Sequence, residues 1–559
     1  MVTCPTRSWC SPVASARADS ATAGDSGGIG RASLFLASGT IVSRLLGFVK
    51  LIVLAAMIGA FGDSADAFSI ANQLPNTIYT IVAGGILTAV LVPQIVRASR
   101  HDDGGTAYIN KLLTLALLIL TATTIVAVVL APVITGFIGL NLSPDQLALA
   151  TAFAYWCLPQ MFFYGLYTLL GEVLNARRSF GPFTWVPVLN NVVAIAGLVV
   201  FAIMFGADPT GDRSAGEITP AMIAVLAGSA TLGVVAQALV LFYFWRRIGL
   251  RYRPDFHFRG VGLRATGRMA GWTFGMLLLT TGAGIAETQV ATLATGQASV
   301  FVLATAWLIF MLPHSVITVS VATAYFTRMS EHAAQEKFDL VQTDASSAIR
   351  GTTLLIVLAS AVIAVCAYPF AAVFVSSYDQ VIGIGNVILA FIIGLVPFCV
   401  LFVLQRTFYA LGDTRTPFFF TLFQVVLILL GVLGCTRLPV EWIAVGIAGV
   451  ITVSGVLQAV LAAILLRRRL GGLDGRRILQ SLVKYLVAVI IPLVLGLSLV
   501  WLLGGTQDGG FAVSGRLGAI VSMIAVGLVM AASYFGMLLL MRSAELQAFL
   551  VPLRARLRR

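Results

Sequence analysis

Apolar runs of about 20 residues or more recur along the whole chain, and they constrain its fold more than any other feature. Only helices or closed barrels satisfy their backbone hydrogen bonds in a hydrocarbon core, and runs without strict alternation of apolar and polar residues favour helices. Charged residues make up 11% of the 559 residues, whereas a soluble globular protein carries about a quarter. The sequence therefore predicts an all-α integral membrane protein.

The breaks between apolar runs predict fourteen spans and a division of the chain into six parts. The spans lie near residues 32–58, 67–96, 110–138, 147–175, 184–206, 219–245, 269–294, 298–327, 348–375, 381–411, 417–436, 441–466, 482–504 and 517–541. The parts are a disordered tail (1–31), a six-helix bundle (32–250), a basic linker (251–268), a second six-helix bundle (269–470), two additional helices (471–542) and a basic tail (543–559).

Lysine and arginine residues gather at the cytoplasmic ends of membrane spans, and here they gather in alternate loops. Of the 36 such residues, Arg44, Lys50 and Arg406 lie well inside predicted spans, and Arg213, Arg437 and Arg516 lie in the intervening loops. The other 30 lie in the termini, in the loops of one side or within three residues of the span ends that meet those loops. We therefore predict a multi-pass protein of the cell membrane with both termini in the cytoplasm. The formal charge of +13 follows from this topology and does not predict a nucleic-acid partner.

Prolines inside the spans recur at a nearly constant offset, which indicates an internal repeat. The pairs are Pro75 and Pro313, Pro132 and Pro369, Pro159 and Pro397, and Pro182 and Pro417, with separations of 238, 237, 238 and 235 residues. A repeat of six spans places both halves in the membrane in the same sense. We therefore expect two pseudo-symmetric bundles around a central cavity, with the prolines permitting bends during alternating access.

A charged residue inside a membrane span indicates a functional role, because placing it at the bilayer centre costs about 2.5–3.5 kcal/mol on insertion scales. The first span contains Arg44 and Lys50 without an acidic neighbour in sequence. Six residues of helix separate the two side chains by about 120°, so they converge on one ligand only if the helix bends, for which Gly47 is the candidate. Arginine offers a planar fork to phosphate oxygens and lysine a compact charge. The pair predicts a pyrophosphate site facing an aqueous cavity.

Two acidic residues are further candidates for the site. Asp66 lies at the start of the second span, where it acts either as a helix cap or as a transport residue. Glu287 lies deep in the seventh span, where it suits either the partner of a cation or the carrier of a coupling ion. The sequence leaves both alternatives open.

No pattern in the chain predicts catalysis, a metal site or another cofactor. The six cysteines are scattered without a CxxC pair, and the chain contains four histidines. A membrane-embedded glycosyltransferase or phosphatase would carry a clustered acid pair, or His and Asp residues together, on a membrane-facing loop. We therefore predict a transporter rather than an enzyme.

Several segments resemble the MurJ/MviN family of lipid II flippases, which belongs to the multidrug/oligosaccharidyl-lipid/polysaccharide exporter superfamily. The segments are residues 43–48 (SRLLGF), 66–68 (DAF), 74–76 (LPN), 92–93 (VP) and 406–417 (RTFYALGDTRTP). The resemblance covers about residues 33–542 and implies fourteen helices around a basic central cavity. It adds Asn76 to the substrate-binding candidates Arg44, Lys50, Asp66 and Glu287.

The chain departs from this family in the charges of the cavity. After the LPN motif, the family carries two basic residues and then an acidic one. This chain has Tyr79 and Thr80 at the basic positions and Gly84 at the acidic position. Leu308 stands where the family has an arginine, five residues before Pro313, and Leu51 stands where the family has an acidic residue, directly after Lys50. These differences concern the identity of the substrate and the strength of binding rather than the fold.

The resemblance predicts export of the peptidoglycan precursor lipid II by alternating access, for cell wall synthesis and cell shape. The implied partners are a polyprenyl-pyrophosphate-linked substrate and the lipid bilayer, with wall-synthesis proteins left open. Coupling to the membrane potential, to sodium or to protons also stays open. The alternatives are a flippase for another polyprenyl-linked polysaccharide precursor and an inactive membrane scaffold for wall synthesis. A drug antiporter is less favoured, because a cationic drug calls for an acidic, aromatic-lined cavity.

Overall fold

The computed structural model describes residues 26–82, 106–176, 180–247, 252–257 and 267–547. Within these ranges the chain consists of helices and the loops between them. In the same ranges, eleven helical segments are long and apolar enough to cross a membrane, and one bent helix pair is a twelfth candidate. The prediction of an all-α membrane protein is confirmed. The count of fourteen spans is consistent with the structure but is not established by it.

The helices follow one another with short connections. They are α1 (Ser26–Ile58), α2 (Asp63–Val82), α3 (Thr106–Val129), α4 (Ala131–Ile138), α5 (Pro144–Cys157), α6 (Gln160–Ala176), α7 (Phe180–Phe205), α8 (Pro220–Arg247), α9 (Gly267–Ala291), α10 (Val300–Pro313), α11 (Val319–Ala334), α12 (Phe338–Val365), α13 (Ala367–Ala372), α14 (Tyr378–Ile392), α15 (Leu395–Ala410), α16 (Arg415–Cys435), α17 (Ile443–Leu470), α18 (Gly475–Ala488), α19 (Ile490–Leu502) and α20 (Arg516–Leu540).

Two details of the predicted division differ from the structure. Residues 26–31, which we assigned to the tail, form the first turns of α1. Each residue added to an existing helix gains one hydrogen bond, so a helix can extend beyond its apolar run. The predicted spans near 67–96 and 269–294 correspond to α2 and α9, whose described parts are not among the eleven segments that are long and apolar enough to cross a membrane.

Paired prolines mark the places where predicted spans divide into two helices. Pro132 and Pro369 lie in the first turns of the short helices α4 and α13. Pro159 separates α5 from α6, and Pro397 lies just after a 41° bend between α14 and α15. A proline removes one backbone hydrogen bond and clashes with the preceding turn, so a helix ends or bends there. The two halves of the chain are thus interrupted at corresponding positions.

Helices α1–α8 form the first bundle and α9–α17 form the second. In the first bundle α7 packs on α1 and α8, and α2 packs on α5 and α6. In the second bundle α16 packs on α9 and α17, and α12 packs on α11 and α15. Helices α18, α19 and α20 pack against α12.

Successive spans bring the loops to two opposite faces of the molecule. The loops at 59–62, 139–143, 206–219, 295–299 and 436–442 belong to one face, which we call the arginine-poor face. Several of these loops meet, since Phe61, Gln297 and Glu441 line one pocket there. The opposite side is the arginine-rich face, where α8 and α17 end in Arg246–Arg247 and Arg467–Arg469.

Among the described residues, the hydrophobic core that both bundles share lies near the arginine-poor face. There a continuous cluster of buried side chains includes Phe68 of the first bundle and Phe301 of the second. Toward the arginine-rich face, the described buried residues form separate clusters, one around Trp245 and the other around Phe408. The bundles therefore meet at the arginine-poor face and separate toward the arginine-rich face.

Candidate substrate cavity between the two bundles

Arg44 of α1 faces the second bundle with an exposed side chain. One turn further along α1, the ring of Phe48 meets Phe370 and Phe374 of the second bundle edge to face, at centroid distances of 6.5 and 5.5 Å. Residues four apart lie on the same face of a helix. Arg44 therefore lies on the face of α1 that contacts the second bundle.

Lys50 is half-buried and lies on a different face of α1. Helix α1 is continuous through Gly47, the predicted bend, and Gly47 lies beside the side chain of Asn191 in α7. The ion pairs formed by the described residues involve neither Arg44 nor Lys50. In the described part of the chain, these two positive charges are therefore not neutralised by a carboxylate.

Asp66 connects the two bundles at the arginine-poor face. Its Oδ1 accepts a hydrogen bond of 3.0 Å from the backbone N–H of Phe301, in the first turn of α10. The unpaired N–H groups and the dipole of a helix N-terminus favour an anionic acceptor at this position. Asp66 is only 2% exposed and lines neither of the two cavities described below. Its place is a cap on a helix of the opposite bundle.

A reciprocal pair of amides forms a second connection at the same face. Nδ2 of Asn141, in the loop after α4, donates to the carbonyl oxygen of Gln289 at 2.7 Å. In return, Nε2 of Gln289, near the end of α9, donates to the carbonyl oxygen of Phe137 at 2.6 Å. These bonds and the Asp66 cap would all break if the bundles separated here, so this conformation is closed at the arginine-poor face.

A cleft of about 210 Å³ lies between α2 and α9, and Asn76 is on its wall. Its polar lining residues are Gln73, Asn76, Thr77 and Thr80 from α2, together with Thr281 and Thr288 from α9. Hydroxyl and amide groups therefore dominate the polar part of the cleft.

An adjoining cavity of about 360 Å³ extends into the second bundle and contains Glu287. It shares Gln73 and Thr288 with the cleft, so the two spaces are neighbours. Among the described residues that line this cavity, Glu287 alone is ionisable, and Trp307 and Phe398 contribute aromatic surface. The cavity thus has the acidic and aromatic character that we associated with a cationic ligand.

The positions at which the resembling family carries charge are occupied by neutral side chains with local partners. The hydroxyl of Tyr79 donates to Oγ1 of Thr168 at 2.7 Å, within the first bundle. Leu51 packs against the core that the bundles share, and Leu308 is 37% exposed. Gly84 lies outside the described residues. Among the described residues, the lining of the cleft and of the Glu287 cavity includes neither lysine nor arginine.

Sequence analysis did not identify Gln73 and Thr77 as cavity residues, although a signal was present. Polar residues at 73, 76, 77 and 80 recur at the spacing i, i+3, i+4 and i+7 inside an apolar span, which places them on one face of a helix. No comparable signal identifies α9 as the opposite wall, because that depends on how distant segments pack.

Comparison with known proteins gives three kinds of match. A profile of the family "Lipid II flippase MurJ" matches residues 54–542. A protein of Borreliella burgdorferi named "Probable lipid II flippase MurJ" is 24% identical over 71% of this chain and 76% of its own length. The solved structure of a lipid II flippase MurJ in an inward closed conformation has a TM-score of 0.68 and 16% identity, over 90% of this chain and 100% of that chain. An inward-facing multidrug resistance transporter of the MATE family has a TM-score of 0.61 and 16% identity, over 78% of this chain and 96% of that chain. At these identities the two solved structures establish a common fold.

Proposed function

Because the chain belongs to the lipid II flippase MurJ family, we propose that it moves lipid II across the cell membrane for peptidoglycan synthesis. Like its relatives, it is a transporter and not an enzyme. It spans the lipid bilayer, and a lipid-linked precursor is its substrate.

The position of Arg44 is the observation that carries this proposal. It is a cation well inside a membrane span, it faces the opposite bundle, and it has no ion-pair partner among the described residues. Such a charge is costly in a membrane unless it meets water or an anion. A guanidinium binds two phosphate oxygens at once, so a pyrophosphate headgroup satisfies it. Lys50 lies on a different face of the continuous helix α1, so it joins Arg44 at the same pyrophosphate only in a conformation in which α1 bends at Gly47.

Alternating access explains how the headgroup crosses. The closed arginine-poor face and the separated cores at the arginine-rich face describe one end state, open to the arginine-rich side. Breaking the Asp66 and Asn141 connections while the opposite ends approach would give the other end state. The proline-interrupted spans supply positions at which the helices can bend.

The direction of export follows from the distribution of lysine and arginine. We assign the arginine-rich face and both termini to the cytoplasm. An inside-negative potential then favours outward movement of an anionic headgroup by about 2.3 kcal/mol per charge per 100 mV. Glu287 is the candidate for additional coupling to sodium or protons if its carboxylate does not bind the substrate itself. Wall-synthesis proteins remain candidate partners.

The proposal is tested in cells depleted of this protein, in which lipid II is expected to accumulate in the inner leaflet. Wild-type protein should reverse the accumulation, Arg44→Lys should reverse it in part, and Arg44→Ala should not, at equal abundance in the membrane. Arg468→Ala, which removes an exposed arginine at the end of α17, is the matched control and should behave as wild type. Normal export by Arg44→Ala would contradict the assignment of the anion site. Depletion without accumulation would favour another polyprenyl-linked polysaccharide precursor as the substrate.

A further inference from the structure

The cleft between α2 and α9 presents hydrogen-bond acceptors to a ligand. The hydroxyl of Thr77 donates to the carbonyl of Gln73 at 3.1 Å, and that of Thr80 donates to the carbonyl of Asn76 at 2.6 Å. On the opposite wall, the hydroxyl of Thr288 donates to the carbonyl of Gly284 at 2.9 Å. A hydroxyl has one proton and two lone pairs. Because each proton is already used within its own helix, the lone pairs are what remain for a ligand.

Glu287 adds a carboxylate to this acceptor-rich surface. In the described part of the chain, no lysine, arginine or histidine lies within ion-pair distance of it. The ring of Trp307 lines the same cavity and lies 6.0 Å from the ring of Phe398, measured between centroids. A cavity lined by a carboxylate and by aromatic rings suits an ammonium group, which donates three hydrogen bonds and is attracted to the π-electrons of such rings.

The same surface is a poor place for the pyrophosphate. Phosphate oxygens at neutral pH are acceptors, and like-charged groups repel in a medium of low dielectric constant. The cleft offers amide N–H donors from Gln73 and Asn76 but no cation among the described lining residues. A large headgroup must therefore be oriented, with its phosphates at α1 and its donor groups between α2 and α9.

We propose that the α2–α9 cleft and the Glu287 cavity bind the donor-bearing part of the headgroup, and that Glu287 binds a free ammonium group on it. This inference rests on the proposed function and names the class of headgroup: a lipid-linked sugar and peptide that carries a primary amine. Hydroxyl and amide N–H groups of the sugar and peptide meet the threonine oxygens, and the amine reaches the deeper carboxylate. The Glu287 cavity, of about 360 Å³, is large enough for the end of an amino side chain rather than for the whole headgroup.

The test compares two forms of one lipid with the purified full-length protein in lipid nanodiscs. The probes are lipid II with a free amine on its stem peptide and the same lipid N-acetylated at that amine. Acetylation removes the positive charge and leaves the pyrophosphate unchanged. Wild-type protein should bind the free-amine form about ten- to a hundredfold more tightly, the range expected for a hydrogen bond between charged groups.

Four variants separate the contributions. Glu287→Gln should bind both forms equally, and Glu287→Asp, which keeps the carboxylate, should restore part of the preference. Arg44→Ala should weaken the binding of both forms by the same factor, because acetylation does not alter the phosphates. Glu331→Gln removes an exposed carboxylate at the end of α11 and should keep the full preference.

The outcomes distinguish this inference from the proposed function. If wild-type protein binds neither form, the proposed function itself fails. If it binds both forms equally, only the ammonium site is overturned. The measurement is repeated in sodium chloride and in potassium chloride. If Glu287→Gln loses a response to sodium but retains the preference for the amine, Glu287 holds an inorganic cation and the inference is wrong.

Discussion

Replacing Asp66 by alanine should open the arginine-poor face. The carboxylate of Asp66 accepts the N–H of Phe301 from the opposite bundle, and this bond exists only while that face is closed. Hydrogen bonds to charged groups contribute about 1.5–3 kcal/mol, and a helix N-terminus favours an adjacent anion by as much as about 2 kcal/mol. Since the two effects overlap in one contact, about 2 kcal/mol is a reasonable total. The ratio of closed to open molecules should then fall about 30-fold.

Asp66→Asn should have a smaller effect than Asp66→Ala. The amide oxygen can still accept the Phe301 N–H but carries no charge, so the closed state should lose about 1 kcal/mol, or about fivefold in the ratio. Asp63 provides a matched control, because it lies one turn earlier in α2 and accepts a bond of 2.5 Å from Gln146. Both of those residues belong to the first bundle, so Asp63→Ala should leave the ratio unchanged.

The ratio can be measured by pulsed electron paramagnetic resonance with spin labels at 140 and 442 in a cysteine-free background. Leu140 and Trp442 are 61% and 52% exposed, lie on the arginine-poor face and belong to different bundles. Asp66→Ala should populate a longer distance, and Asp66→Asn should do so less. An unchanged distribution in Asp66→Ala would refute the role of this contact, as would an equal change in Asp63→Ala.

Two further predictions concern the C-terminal segment and the contact of α1 with the second bundle. Burial raises the pKa of Glu545, but hydrogen bonds from its own backbone N–H, Arg350, Ser481 and Ser543 outweigh it and hold the pKa below its usual value. The ionised carboxylate thus stabilises the fold at any pH above its usual pKa, and this stabilisation is lost as the pH falls through the lowered pKa. The Tm of the wild-type protein should therefore fall more on acidification than the Tm of Glu545→Gln. Parallel curves of Tm against pH would contradict this. Phe48→Ala removes two edge-to-face ring contacts, each contributing about 0.5–1.5 kcal/mol. It should therefore broaden the distance distribution between labels at the exposed positions 41 of α1 and 376 of the second bundle, and an unchanged width would exclude a role for these rings.

Several features of the site follow from the sequence because they depend on single segments. Arg44 could be identified as a candidate site residue from its depth in the first span alone, since the cost of placing a charge inside the membrane is evident from a single segment. The face of α2 that carries Gln73 and Asn76 could also be read from helical spacing. Two of the four proline pairs indicated where spans in both halves are interrupted, because a proline removes a hydrogen bond from its own helix whatever packs against it.

The role of Asp66 required the tertiary structure. From the sequence it was either a helix cap or a transport residue, and the cap that was considered belonged to its own helix. The structure shows that it caps α10, which lies 235 residues further along the chain. The expectation for Glu287 was similar: its depth was evident, but the aromatic and acceptor-rich surroundings come from helices α2, α10 and α15.

By itself, the sequence determined that this is a helical membrane protein with a repeated proline pattern and a cation well inside its first span, because partition between water and lipid acts on each segment separately. The tertiary structure alone decided which face is closed, which helices enclose the cleft, and which groups are left to meet a ligand. Those properties depend on contacts between residues far apart in the chain, such as Asn141 with Gln289 and Asp66 with Phe301, and no local pattern encodes them.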